Sequence, residues 1–197
     1  MSSLLIGDKS QFAIESYIAQ PFGSLSQRAL GYFVVYVGGQ VYGIQSPEAT
    51  LLACSFDAVN RRLARRGTHI ASFGTEASME KLVYSVHKAL YEDCPPKVQF
   101  WGMSAEGLSD ELAAHEIILA PDGDAAFDDG SQILHFDQGE RVRLVAFKNS
   151  SDVAAGTDAL VDVKMGAAEF YQILESWRDQ FELTWHRALT MKLKINQ

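Results

Sequence analysis

Apolar and polar positions alternate along QFAIESYIA, Gln11 to Ala19, which predicts an early strand with one buried face. The next apolar stretch, GYFVVYVGGQVYGI at residues 31 to 44, holds two β-branched and aromatic runs on either side of Gly38-Gly39. A glycine pair tolerates the positive φ angles of a two-residue turn, so this segment predicts a β-hairpin. Alternation then sends Tyr32 and Tyr36 to one face and Phe33 to the other. A displayed tyrosine combines a rigid ring with a polar tip, which makes Tyr36 a candidate anchor for a partner.

Beyond the hairpin the period changes. Ser46-Pro47-Glu48 has the residue types of a helix start: a capping hydroxyl, a proline for the first turn and an acid at the positive end of the dipole. Leu52, Phe56, Val59 and Leu63 continue at helical spacing, and Gly67 supplies a stop. A second helix is predicted from near Thr75, with Met79, Leu82, Val83, Val86 and Leu90 on one face and Pro95-Pro96 at its end. Strands follow at VQFW (98 to 101), EIILA (116 to 120), QILHFD (132 to 137), RVRLVAF (141 to 147) and ALVDVKM (159 to 165). Gln138-Gly139-Glu140 joins two of them as a second hairpin. A long closing helix carries Phe170, Ile173, Leu174, Trp177, Phe181 and Trp185 opposite Glu169, Gln172, Glu175 and Asp179.

Strands grouped in hairpins, with helices in the middle and at the end, predict an α+β fold. Its sheet is largely antiparallel, with helices packed on one face, in one domain over 1–197. The 197 residues are 47% hydrophobic and 11% aromatic, enough for a substantial core. A formal net charge of -8 opposes association with nucleic acid or an anionic membrane and favours a basic protein partner. Of the two cysteines, Cys54 falls inside the first helical pattern and is expected to be buried, and neither it nor Cys94 has metal-ligand spacing. No secretory or membrane-spanning segment is evident, so the expected location is the cytoplasm.

The densest charge lies in PDGDAAFDDG, residues 121 to 130, which contains Asp122, Asp124, Asp128 and Asp129. A calcium loop of the EF-hand type is excluded: counting from Asp122, Ala126 and Ile133 occupy two ligand positions. A metal-dependent phosphohydrolase using Asp122 and Asp124 is the enzymatic alternative. It lacks the alternating βαβ context, and Ala125-Ala126 stands where a threonine is expected. A solvated turn needs no further chemistry. An acidic contact patch for a cationic partner is the third reading, since packed like charges gain from a counter-charge.

His115-Glu116 opens like a zinc-protease motif, but Leu119 replaces the second histidine. The other histidines, His69, His87, His135 and His186, share no spacing and are expected half-buried or at the surface. Arg61, Arg62, Arg65 and Arg66 are expected on a solvated helix face. Gly23-Ser24 is no nucleophile elbow, and no phosphate-loop or dinucleotide fingerprint occurs, so no cofactor is expected.

Taken together, LLIGDKSQFAIE, GYFVVYVGGQVYGI, QILHFDQGERVRLVAF and MGAAEFYQILESW, in that order, resemble the immunity protein 42 family found beside bacterial polymorphic toxins. The Ile6-Gly7-Asp8 start and the Gly38-Gly39 hairpin are the most telling matches. The resemblance implies a non-enzymatic protein that binds and neutralises a cognate toxin. A non-catalytic adaptor of a secretion system is the remaining alternative. On the toxin-binding reading, Asp122, Asp124, Asp128, Asp129 and Tyr36 are the candidate partner-binding residues.

Overall fold

The computed structural model describes residues 3–120, 124–149 and 160–195. Strands β1 (Leu4–Asp8), β2 (Phe12–Pro21), β3 (Ala29–Val37) and β4 (Gln40–Tyr42) form an antiparallel meander, and β5 (Thr50–Leu51) pairs with the far end of β3. A second antiparallel sheet runs β6 (Ile118–Ala120), β7 (Ser131–Gln138), β8 (Arg141–Lys148), β9 (Val161–Gly166). The helices are α1 (Leu52–Ala64), α2 (Phe73–Glu76), α3 (Met79–Tyr91), α4 (Ala105–Ala114) and α5 (Ala167–Ile195). The fold is α+β with antiparallel sheets. The predicted strands are divided between two of them.

Both predicted hairpins form. Val37 pairs with Gln40 across Gly38 and Gly39, whose φ angles are 56° and 85°. Gln138 pairs with Arg141 across Gly139-Glu140. Gly38 has a second duty: a Cβ there would collide with Val161 on β9, so the tip of the first hairpin rests directly against the second sheet.

Helix α5 ties the sheets together. Its predicted stripe is buried throughout, from Phe170 to Trp185, and packs against Phe12 and Phe33 of one sheet and Leu144 and Met165 of the other. Trp177 is fully buried, and its indole nitrogen donates to Ser16 Oγ at 3.0 Å. A separate core under α3 and α4 holds Leu82, Val86, Leu108 and Leu112 against Leu134, Phe136, Val145 and Phe147 on the other face of β7 and β8.

Three local expectations are corrected. The first helix does not begin at Ser46-Pro47-Glu48, which form a turn closed by Ala49 N to Ser46 O at 3.0 Å. Pairing of Thr50 and Leu51 with Gly31 and Leu30 holds the next residues extended and delays the helix to Leu52. VQFW is no strand. Phe100 and Met103 form an isolated bridge around Trp101, at φ 49°, and Gly102. The unforeseen α4 follows, capped by Ser104 Oγ, which accepts from Gly107 N at 3.1 Å. Cys54 is exposed, because α1 turns Leu52, Ala53, Ser55, Phe56 and Val59 inward instead.

Candidate functional site

Helices α1 and α5 pack on the face of the first sheet that carries Phe12, Ile14, Phe33 and Val35. The opposite face carries Ala13, Glu15, Tyr17, Tyr32, Val34 and Tyr36 by strand alternation. Ala13, Tyr32 and Val34 are buried yet belong to neither hydrophobic core, so the side chains of this face cover one another.

Glu15 is the centre of that cover. Its carboxylate accepts from Lys9 Nζ at 2.7 Å, from the hydroxyls of Tyr32 and Tyr36 at 3.0 Å each, and more distantly from Gln45 Nε2 at 3.4 Å. Burial alone would raise the Glu15 pKa. The hydrogen bonds from Lys9, Ser3, Tyr32 and Tyr36 outweigh it and hold the group below its ordinary value, ionised at neutral pH. The Lys9 ammonium also stands 4.2 Å from the centre of the Tyr36 ring. Tyr36 is thus half-buried, its hydroxyl committed and its ring held in one place. Leu5 and Val41 are exposed, on the neighbouring strands β1 and β4.

The acidic turn meets the same sheet at the end of β4. Ile44 N donates to Ala126 O at 2.8 Å and Gly43 N to Ser131 Oγ at 2.9 Å. Asp124 caps a short 3-10 turn over Ala125–Phe127 by accepting from Ala126 N at 2.9 Å, with Thr50 Oγ1 at 3.5 Å. Asp129 accepts from Ser131 N at 3.1 Å and pairs with Lys148 at 2.6 Å. Burial opposes ionisation of Asp129, but the bonds from Lys148 and Ser131 prevail and lower its pKa. Asp128 is exposed and has no partner among the described residues. Asp122 lies outside the described residues.

A third cluster was not legible in the sequence. Arg62, His69, His135, Asp137 and Tyr171 meet in the interior, both histidines fully shielded from solvent. Arg62 donates to the carbonyls of Glu116 and Ile118 at 2.8 and 3.0 Å and lies 2.6 Å from His135 Nδ1. Tyr171 donates to Asp137 at 2.9 Å, and His69 N donates to Asp137 Oδ2 at 3.1 Å. The expected solvated arginine face is therefore corrected at Arg62, and the expected surface or half-buried histidines at His69 and His135. Arg61 and Arg66 do remain exposed. Burial lowers the Arg62 pKa to about 10, which leaves it charged, and lowers that of His135 to about 3. Among the described residues, no group of three or more His, Cys, Asp or Glu side chains is arranged to hold a metal ion.

A model of the family described as immunity protein 42 matches residues 1–180. The chain belongs to the immunity protein 42 family. As an immunity protein it serves to neutralise a toxin, and nothing among the described residues favours a phosphohydrolase or an adaptor. The immunity protein is similar in structure to CdiI from Burkholderia dolosa AUO158, with a TM-score of 0.53 over 90% of this chain and 99% of that one. The two are 17% identical, so the likeness speaks for the shared fold. No curated protein matches the immunity protein.

Proposed function

We propose that this immunity protein neutralises its toxin by binding it in the cytoplasm, catalysing nothing itself. The contact surface is the face of the first sheet opposite α1 and α5, together with the acidic turn. The observation that carries the neutralising role is the family match over residues 1–180. For the surface, support comes from the two helices lying on the other face, which leaves Tyr36, Leu5 and Val41 turned away from the core.

Within that surface the residues contribute differently. Tyr36 offers a ring already fixed by Lys9 and Glu15, so little side-chain entropy is lost when a partner covers it. Asp128 offers an exposed carboxylate with no partner among the described residues, and Asp122 belongs to the same proposed patch. Asp124 and Asp129 serve it mainly by shaping the turn, since both already accept internal hydrogen bonds. No described helix is long and apolar enough to cross a membrane.

The test is co-expression with the toxin encoded by the neighbouring gene. Cells making that toxin survive with the immunity protein and die without it. Tyr36→Ala lowers affinity by about 10-fold or more if the ring is an anchor, and Asp128→Lys slows association most at low salt. Unchanged binding by both variants moves the contact to another surface. Survival without the immunity protein refutes the neutralising role.

A further inference from the structure

We propose that Arg28 is a carboxylate-binding site that takes an acidic side chain of the bound toxin. This rests on the toxin-binding reading and adds, on the side of the first sheet where α1 and α5 pack, a contact of opposite sign to that of the acidic turn.

Arg28 closes the β2–β3 connection and is 8% exposed. Its guanidinium carbon lies 3.7 Å from the centre of the Phe56 ring and 5.1 Å from that of Trp185. Two aromatic neighbours fix the plane of the group and cover its surface, yet they accept none of its N–H hydrogens in the plane. Nε and Nη1 are shut off from solvent without a hydrogen-bond acceptor. The nearest carboxylate oxygen, Glu182 Oε1, is 3.9 Å from Nη1, beyond hydrogen-bond reach. The side chain of Glu182 is 47% exposed.

A buried guanidinium whose Nε and Nη1 lack an acceptor is an incomplete arrangement, because the ring contacts and the 3.9 Å approach of Glu182 compensate its desolvation only in part. The backbone is unfavourable as well. Arg28 has a φ of 54°, held by Arg28 N to Ser24 O and Phe22 N to Arg28 O, both at 2.7 Å. A glycine or asparagine would sit there with less strain, so the conformation is not what selects arginine.

The surroundings decide the ligand. From Leu183 to Gln197 the chain contains Arg187, Lys192 and Lys194 and no acid, within a protein of net charge -8. Lys192 reaches back to Pro21 O at 3.1 Å, which brings this basic segment to the same end of the fold. An approaching carboxylate therefore meets an attractive local field. A single planar fork matches the two oxygens of a carboxylate, and Glu182 close by repels a doubly charged phosphate more than a monoanion.

The experiment follows the Arg28 Nε–H and Trp185 Nε1–H NMR signals of the folded protein during titration with acetate, and separately with inorganic phosphate, at constant ionic strength. Acetate is expected to shift both signals saturably, more tightly in Glu182→Gln, and to leave Trp185 unmoved in Arg28→Lys. Binding of the neighbouring gene's toxin to Arg28→Lys is expected to weaken by about 10-fold or more. No saturable acetate shift, tighter binding of phosphate than acetate, or wild-type toxin affinity in Arg28→Lys would each overturn the assignment. Failure of the wild-type protein to bind the toxin at all refutes the immunity reading instead, and the acetate titration tells the two apart.

Discussion

Arg62 and His135, 73 residues apart in sequence, meet at 2.6 Å between Nη1 and Nδ1 inside the protein. A guanidinium can only donate, so His135 Nδ1 accepts and its proton resides on Nε2, which faces Asp137 Oδ1 at 3.4 Å. His69 has the reverse tautomer: its Nδ1 lies 2.9 Å from the His115 carbonyl, which can only accept. Two neutral imidazoles with ring centres 4.8 Å apart are thus built beside a permanent cation.

That arrangement sets the acid sensitivity of the fold. Burial chiefly, and the Arg62 charge beside it, hold His135 at about 3 in the folded state, against an ordinary 6.5, and His69 is lowered in the same direction. The unfolded chain therefore binds more protons than the native one in this range. Stability is complete above about pH 6.5 and falls as pH drops from there toward 3, by about 1.4 kcal/mol per pH unit for each fully titrating histidine. Chemical denaturation at pH 7, 6, 5 and 4 should show the decline. His135→Gln, which keeps an acceptor for Arg62, should reduce the slope by about one proton, and an unchanged slope would assign the decline to other groups.

Removing Arg62 should be costly. Arg62→Met leaves His135 Nδ1 and the Glu116 and Ile118 carbonyls without their donor, a loss of about 3 kcal/mol from unsatisfied buried acceptors. Arg61→Ala, on the exposed side of the same turn, should stay within about 0.5 kcal/mol of wild type. Urea midpoints of the two variants measure the contrast.

The paired glycines of the first hairpin should separate under substitution. Gly39→Ala meets open space and suffers only from its φ of 85°, about 1 kcal/mol. Gly38→Ala has the same kind of penalty and also drives a methyl group into Val161, adding about 1–3 kcal/mol of overpacking. Equal thermal stabilities would mean that the hairpin tip does not bear on β9.

Trp177 should dominate the shared core. Trp177→Ala is expected to lose about 3–5 kcal/mol, because the indole packs against Phe33, Phe56 and Phe181 and is fully buried. Ser16→Ala removes the acceptor for the indole N–H and should cost about 1–3 kcal/mol without opening a large cavity. Calorimetry on both variants distinguishes packing from the lost hydrogen bond.

Local periodicity settled the elements whose partners are simply apolar. The six-residue stripe of α5, both glycine-bearing hairpins and the strands of β7 and β8 could be read directly, because an amphipathic element needs only some core to face. Tertiary structure decided everything that needed a particular partner. The start of α1 waited on Thr50 and Leu51 pairing with β3, the strands divided into two sheets bridged by α5, and Cys54 turned outward. The burial of Arg62, His69 and His135, and the incomplete cage around Arg28, also belong to this class. A polar side chain is stable inside only when specific donors and acceptors arrive from distant segments, and no local pattern encodes which segments those will be.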